Sequence, residues 1–391
     1  MSIINDYGKY IAGTYSRFPV TLVEGKGATA WDIDGKEYID LGSGIGVNSF
    51  GWCDDEWIFA VEKQLDMLQH TSNLFYTLPG LELAKLLCKK SGMEKCFFGN
   101  SGAEANECAV KTARKYSLDK YGDPERNVVV TLKSSFHGRT LATLAATGQD
   151  AFHTTFGPFP QGFVYADAGD FELFRAAAEQ NGKVCAVMME MIQGEGGVNV
   201  LEKDYVRSVV DYCRENDILV IVDEVQTGNG RTGKFYSYQH FGFVPDLVST
   251  AKGVAGGLPM GVCLFGEKVK DVMTPGSHGS TFGMNPVVCA GAVSVVKRMD
   301  DEFLASVTAK GEYIRERLSA CRNVTGISGM GLMLGVETPR DAKEVVSECI
   351  AAGALPLTAK NKIRLLPPLN ITEAELEKAM DILVKVLSVE S

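Results

Sequence analysis

Hydrophobic residues along this chain gather in short β-branched runs separated by stretches with apolar positions at helical spacing. The runs KCFFG, NVVVTL, FVYA, VCAVMMEMI, ILVIV, DLVST and GVCLFG follow one another between residues 95 and 266. Short apolar runs without polar alternation read as strands covered on both faces. Helical patterns, such as residues 205–214, stand between several of them. That order predicts a mainly parallel sheet with helices on both sides. Upstream, an irregular start through Pro19 leads to AWDIDGKEYIDL, a hairpin turning at Asp34 and Gly35. Asp54 or Asp55 then caps a helix with Ile58, Val61, Leu65 and Leu68 on one face, and a second helix runs from Pro79 and Gly80 to Gly92. Near Pro286 the pattern changes to a long helix, and Thr372 with Glu375 makes a capping box for the last one. The expected fold is α/β, with a large domain at 50–285 built on seven strands. A smaller α/β domain is expected from 1–49 and 286–391 together.

Length and charge narrow the partners. A chain of 391 residues can bury one large core and a smaller one. Its net charge of -10 and lack of a basic run argue against a nucleic-acid partner and favour small ligands. The ten cysteines show no C-x-x-C pair, and Cys185, Cys213 and Cys263 lie in apolar runs. They read as reduced core thiols of a cytoplasmic protein, with no metal site. The amino-terminal MSIINDYGKY has neither a basic start nor an apolar core, and no run reaches membrane-spanning length, so no membrane partner is expected.

Two strand ends carry the candidate chemistry. The run at 218–222 delivers Asp223 and Glu224, and the next strand ends at Lys252, followed by GVAGGLPMG. Ligands of open α/β sheets bind beyond the carboxyl ends of strands, so this carboxylate and this amine should share a crevice. Desolvation there lowers an amine's pKa and suits Schiff-base chemistry. A lysine on an aldehyde and a carboxylate on a pyridine nitrogen are what pyridoxal phosphate requires. In FFGNSGAEANE, Ser101, Gly102 and Ala103 open a helix that is either a phosphate site or simply a serine-capped start. SSFHGRT exposes Phe136, which could stack on a flat ring, and Arg139, which could hold a carboxylate; His137 beside them is left without a role. Glu190, Glu195 and Arg364 by themselves read as solvated charges, and Ser280 with Thr281 as a turn or phosphate donors. GNGRTG at 228–233 matches the dinucleotide fingerprint but joins no strand directly to a helix, so a nicotinamide reading is rejected.

Taken together, the segments RFPV, HTSNLFYT, FFGNSGAEANECAVKTARKY, FHGRTLATLAATGQ, IQGEGGV, VDEVQTGNGRTG, STAKG, HGSTFGMNP and IRLLPPL resemble the class III, or ω-amino-acid, aminotransferases. The likeness is strongest to the acetylornithine-type members and covers nearly the whole chain in order. It implies the type I pyridoxal-phosphate aminotransferase fold and a homodimer with shared active sites. By position, Lys252 is the amine joined to the cofactor and Asp223, beside Glu224, holds the ring nitrogen. Gln226 bonds the phenolic oxygen, while Val225 and Phe136 enclose the ring. Gly102, Ala103 and Ser101 hold the phosphate, with Thr281 reaching it from the other subunit; Ser280 and Arg139 match substrate contacts.

The implied reaction moves the terminal amine of N-acetylornithine to 2-oxoglutarate in two half-reactions. Succinylornithine, ornithine, acetyllysine and 4-aminobutyrate are alternative donors; an aminomutase or a noncatalytic binder lies outside that class. The acceptor has two carboxylates and the donor one at the far end. An arginine left buried and unpaired costs roughly 3–5 kcal/mol, so Glu195 is expected to cover Arg364 in the donor half and swing away in the other. Arg139 would then hold the distal carboxylate in both. Three departures from the family pattern stand out: Met191 where proline is usual, Met284 where glycine is usual, and GWCDDEW near the expected substrate mouth.

Overall fold

The computed structural model describes residues 3–389. Among these, the seven expected strands form one sheet in the order Lys95–Gly99, Gly261–Phe265, Leu247–Thr250, Leu219–Asp223, Val184–Met189, Val128–Leu132, Phe163–Ala166. Six strands run in one direction, and Gly261–Phe265 is antiparallel to both neighbours. Alternate side chains divide between the faces. Leu219 and Ile221 pack with Cys108, Ala109 and Ala113 of the helix Gly102–Tyr121, whereas Val220 and Val222 join Val206 and Val209 of Lys203–Glu215. Burying each such aliphatic side chain contributes about 1.5–3 kcal/mol, which explains why the central strands carry almost no polar residue before their last position.

Register brings the strand ends together. Asp223 pairs with Ser249 on its parallel neighbour, and Val222 pairs with Met189, the residue before Glu190. The reversed strand begins at Gly261 opposite Gly99, so its start lies at the same edge. Residues 99–103, 133–140, 190–195, 223–226 and 250–260 therefore leave the sheet on one side.

The remaining strands form two four-stranded sheets and a short pair. Glu37–Asp40, from the amino-terminal hairpin, pairs with Ala354–Leu355. The second sheet contains Lys362–Leu365, which carries Arg364 next to Gly335. Residues 3–10 form a helix rather than part of an irregular start. The region after Asn285 divides into two helices, Pro286–Lys297 and Asp301–Ser319, because Asp300 caps a new start by accepting from Phe303 N. The capping box at Thr372 and Glu375 is present.

Helix Asp55–Leu65, capped by Asp54, has no buried residue, and Leu65 and Leu68 remain exposed. Asp54 also accepts two hydrogen bonds from Arg298, whose guanidinium lies 3.8 Å from the Phe50 ring centroid. Met284 adopts φ +61, which explains a preference for glycine there. Its side chain lies over Gly80, where a Cβ would come within 2.5 Å of Met284 Cγ. Among the described residues, no helix is long and apolar enough to cross a membrane.

Candidate active site

The strand ends enclose a cavity of about 650 Å³, lined by Ser101, Gly102, Ala103, Phe136, Arg139, Asp223, Val225, Gln226 and Lys252 among others. Ser101 is the extended N-cap of Gly102–Tyr121, and its hydroxyl accepts from Glu104 N at 3.2 Å. The first amides of that helix have no carbonyl one turn back to bond, so they form an anion-binding end. Gly102 is required by contact: a Cβ would lie 2.7 Å from Val225 Cγ1. The serine is thus both a cap and a wall of the cavity, and the two readings of this segment are compatible.

Asp223 is 3% exposed and held on several sides. Its Oδ2 accepts from Asn106 Nδ2 and pairs with His137 Nδ1, both at 2.8 Å, and its Oδ1 accepts from Val225 N at 2.9 Å. Lys252 follows the neighbouring strand with φ +46 and is half-buried. Burial holds its amine below the usual lysine range, against the opposing charges of Glu195 and Asp223.

Glu195 and Arg364 stand behind Gln226 rather than on the cavity wall. Arg364 Nη1 donates to Glu195 Oε1 at 2.5 Å and to Gln226 Oε1 at 3.1 Å, while Gln226 Nε2 donates to the same glutamate oxygen at 3.3 Å. Burial pushes the Glu195 carboxyl up, yet the charge and hydrogen bond of Arg364 outweigh it and hold the group below the ordinary range. Arg364 is 4% exposed, and its Nε has no partner among the described residues. Arg139 is exposed at the mouth, its guanidinium 4.4 Å from the Phe152 ring centroid and 5.4 Å from that of Phe136.

Three expected residues sit elsewhere. The Glu224 side chain is turned away from the cavity and fully buried; it accepts from Thr227, Ser237 and the Tyr238 amide, because adjacent residues of a strand point to opposite faces. Its side chain takes no place on the cavity wall. Ser280 accepts from Asn100 Nδ2 at 3.2 Å, one residue removed from the cavity, and Thr281 is exposed outside it. Met191 is fully buried, and the loop after it still delivers Glu195 to Arg364.

His137, Asn106 and Glu190 were missed as wall residues. Asn106 lies one turn after Gly102 on the same helix, a spacing that signals a shared face. Glu190 accepts from Phe136 N at 3.0 Å, and burial pushes its carboxyl up to about 7. No sequence signal separated it from a solvated glutamate.

A lysine with a lowered pKa, a fixed buried carboxylate and a free helix start around one cavity fit pyridoxal phosphate, and this site is that of a pyridoxal-phosphate-dependent transaminase. A family profile described as "Aminotransferase class-III" matches residues 10–387, and the chain belongs to that family. It is 51% identical to the acetylornithine aminotransferase of Haemophilus ducreyi over 381 residues, which is 97% of this chain and 96% of that one. Among solved structures it resembles the Toxoplasma gondii ornithine aminotransferase, reported with partial occupancy of its cofactor, at a TM-score of 0.93 and 31% identity, covering 98% and 93% of the two chains. The N-acetylornithine aminotransferase of Stenotrophomonas maltophilia matches at a TM-score of 0.84 and 33% identity, covering 99% and 98%.

Proposed function

We propose that this chain transfers the terminal amino group of N-acetylornithine to 2-oxoglutarate, giving N-acetylglutamate semialdehyde and glutamate in arginine biosynthesis. The observation that carries this reading is the Glu195–Arg364 pair, a buried cation covered by a partly exposed carboxylate. Beside the open Arg139, it supplies one free cation for a donor with a single carboxylate and a second cation when the acceptor brings two. The 51% identity to an acetylornithine aminotransferase supports the choice of donor.

When bound, pyridoxal phosphate supplies an electron sink for a carbanion at the substrate carbon. Asp223 would keep its ring nitrogen protonated, with His137 and Asn106 holding that carboxylate in place. Gly102, Ala103 and Ser101 would hold the phosphate, Gln226 the phenolic oxygen, and Val225 with Phe136 the two ring faces. Lys252, whose amine burial holds below the usual lysine range, would take the proton from the substrate carbon and later give it back, as general base and then acid.

The reading includes a homodimer. Leu74, Phe75, Tyr76, Leu78 and Phe282 are all more than 60% exposed, a liability in a lone chain and a natural surface for a second copy. Thr281, with Ser280, would then serve the partner's cavity. We also assign 50–285 to the cofactor-binding domain, 1–49 with 286–391 to the smaller one, and the cytoplasm as the place of action.

A half-reaction panel tests the donor. Purified holoenzyme is mixed with N-acetylornithine, succinylornithine, ornithine, acetyllysine or 4-aminobutyrate, and the visible band of the bound cofactor is followed. The fastest loss is expected with N-acetylornithine; a faster loss with another amine reassigns the donor.

A further inference from the structure

The loop at residues 228–233, GNGRTG, has no part in the chemistry above, yet it grips both halves of the site. Asn229 is buried with φ +57, and its Nδ2 donates to Thr250 Oγ1 at 2.9 Å and to the Ala251 carbonyl at 3.0 Å. Ala251 precedes Lys252, whose own backbone is left-handed at φ +46 and persists only where surroundings over-determine it.

Arg231, on the same loop, is 2% exposed. Its Nη1 donates to the carbonyls of Leu332 at 3.2 Å and Pro367 at 2.5 Å, and its own carbonyl accepts from Leu332 N at 3.0 Å. Pro367 directly follows Leu366, whose carbonyl accepts the Ser43 hydroxyl at 2.6 Å; both lie just beyond the strand Lys362–Leu365 that carries Arg364. Nη2 of Arg231 finds no acceptor among the described residues. A guanidinium buried among carbonyls is costly even with the charge of Asp40 acting on it, and packing alone would not call for one.

We propose that the 228–233 loop is a positioning bracket: Asn229 fixes the backbone that presents Lys252, Arg231 fixes the segment that presents Arg364, and the two keep a set separation. This rests on the roles given above to Lys252 and Arg364. It makes Asn229 and Arg231 positioning residues, each acting through one end of the site.

The test compares holoenzymes of the wild type, Asn229→Gly, Arg231→Met and Arg231→Lys. Glycine accepts φ +57 without strain, so Asn229→Gly removes the two donors and keeps the turn. Two readouts are taken: the pH midpoint of the bound cofactor's visible band, and kcat and KM for amino exchange between glutamate and 2-oxoglutarate. Asn229→Gly should move the midpoint by at least about half a pH unit and lower kcat about tenfold, with KM for 2-oxoglutarate within about twofold. Arg231→Met should raise that KM about tenfold and leave the midpoint in place, and Arg231→Lys should recover part of the loss. If Arg231→Met does not accumulate as folded protein, Arg231→Lys carries the same comparison with a smaller rise.

Equal effects of both substitutions on kcat and KM, or a lower melting temperature with both readouts unmoved, would overturn the bracket. A wild type that binds cofactor but exchanges no amino group overturns the functional reading instead. The bracket is then decided by the midpoint alone, which must move with Asn229→Gly and hold with Arg231→Met.

Discussion

Asp223 and Glu195 are two carboxylates whose charges both act on Lys252, and they are held in opposite ways. Asp223 ends a buried strand and is fixed by an asparagine, a histidine and a backbone amide. Glu195 belongs to a loop, its side chain is 32% exposed, and a single oxygen serves both Arg364 and Gln226. A charge that must stay is built into the sheet with several donors of modest strength. A charge that must leave rests one oxygen on an arginine and a glutamine, and the arginine gains another partner when it goes. The difference separates what binds the cofactor from what sorts the substrates.

The largest effect lies outside both. Lys252→Ala should lower turnover by about 10⁴-fold, the upper range for losing a general acid and base, and a steady-state assay of glutamate formation checks it. Asp223→Asn tests the fixed side: turnover should fall about 10²–10³-fold in both half-reactions, as when a preorganised electrostatic contact is lost. An effect confined to one half-reaction would erase the distinction drawn here.

Arg364→Ala tests the releasable side. Losing one partner of a charged pair costs about 2–5 kcal/mol, so 2-oxoglutarate should bind at least about 30-fold more weakly while the donor half-reaction changes little. Glu195→Gln should have a smaller and inverse effect, slowing the donor half-reaction several-fold with 2-oxoglutarate binding kept or improved. Equal losses in both halves for either variant, measured by stopped-flow absorbance, would contradict the switch.

The smallest effect concerns stability. Burial raises the folded-state pKa of Glu190 to about 7, above its unfolded value. Its contribution is therefore fully present below the ordinary value of about 4.5 and is lost as pH rises through about 7. The stability of the wild type relative to Glu190→Gln should fall across that window in urea titrations. A rise would show that His137 and the amides of Phe136 and Gly194 outweigh burial.

Much of this was legible beforehand, for identifiable reasons. All seven central strands could be read because burial on both faces leaves uninterrupted apolar runs, and Asp223 and Lys252 stand out as the first charges after such runs. The helix at Ser101 was legible through its cap. The direction of the Glu224 side chain was not legible, because neighbouring residues on one strand end look alike in sequence while pointing opposite ways. His137 and Glu190 stayed hidden because their partners are 86 and 54 residues away along the chain. The helix expected near Pro286 is present as Pro286–Lys297, and Asp300 caps the next one.

The lone reversed strand, Gly261–Phe265, has a further consequence. Neighbours running the same way need a crossover of a dozen or more residues, usually through a helix on the far face. Because this strand runs back beside Leu247–Thr250, residues 251–260 close the gap directly and supply Lys252 together with Gly257, Leu258, Pro259 and Met260 on the cavity wall. The reactive amine and part of the chamber that receives substrates are one short hairpin. Reshaping that chamber for another amine by lengthening this segment would displace the amine as well, so new specificities are easier to reach from the opposite rim, where Phe136 and Arg139 stand on a separate loop.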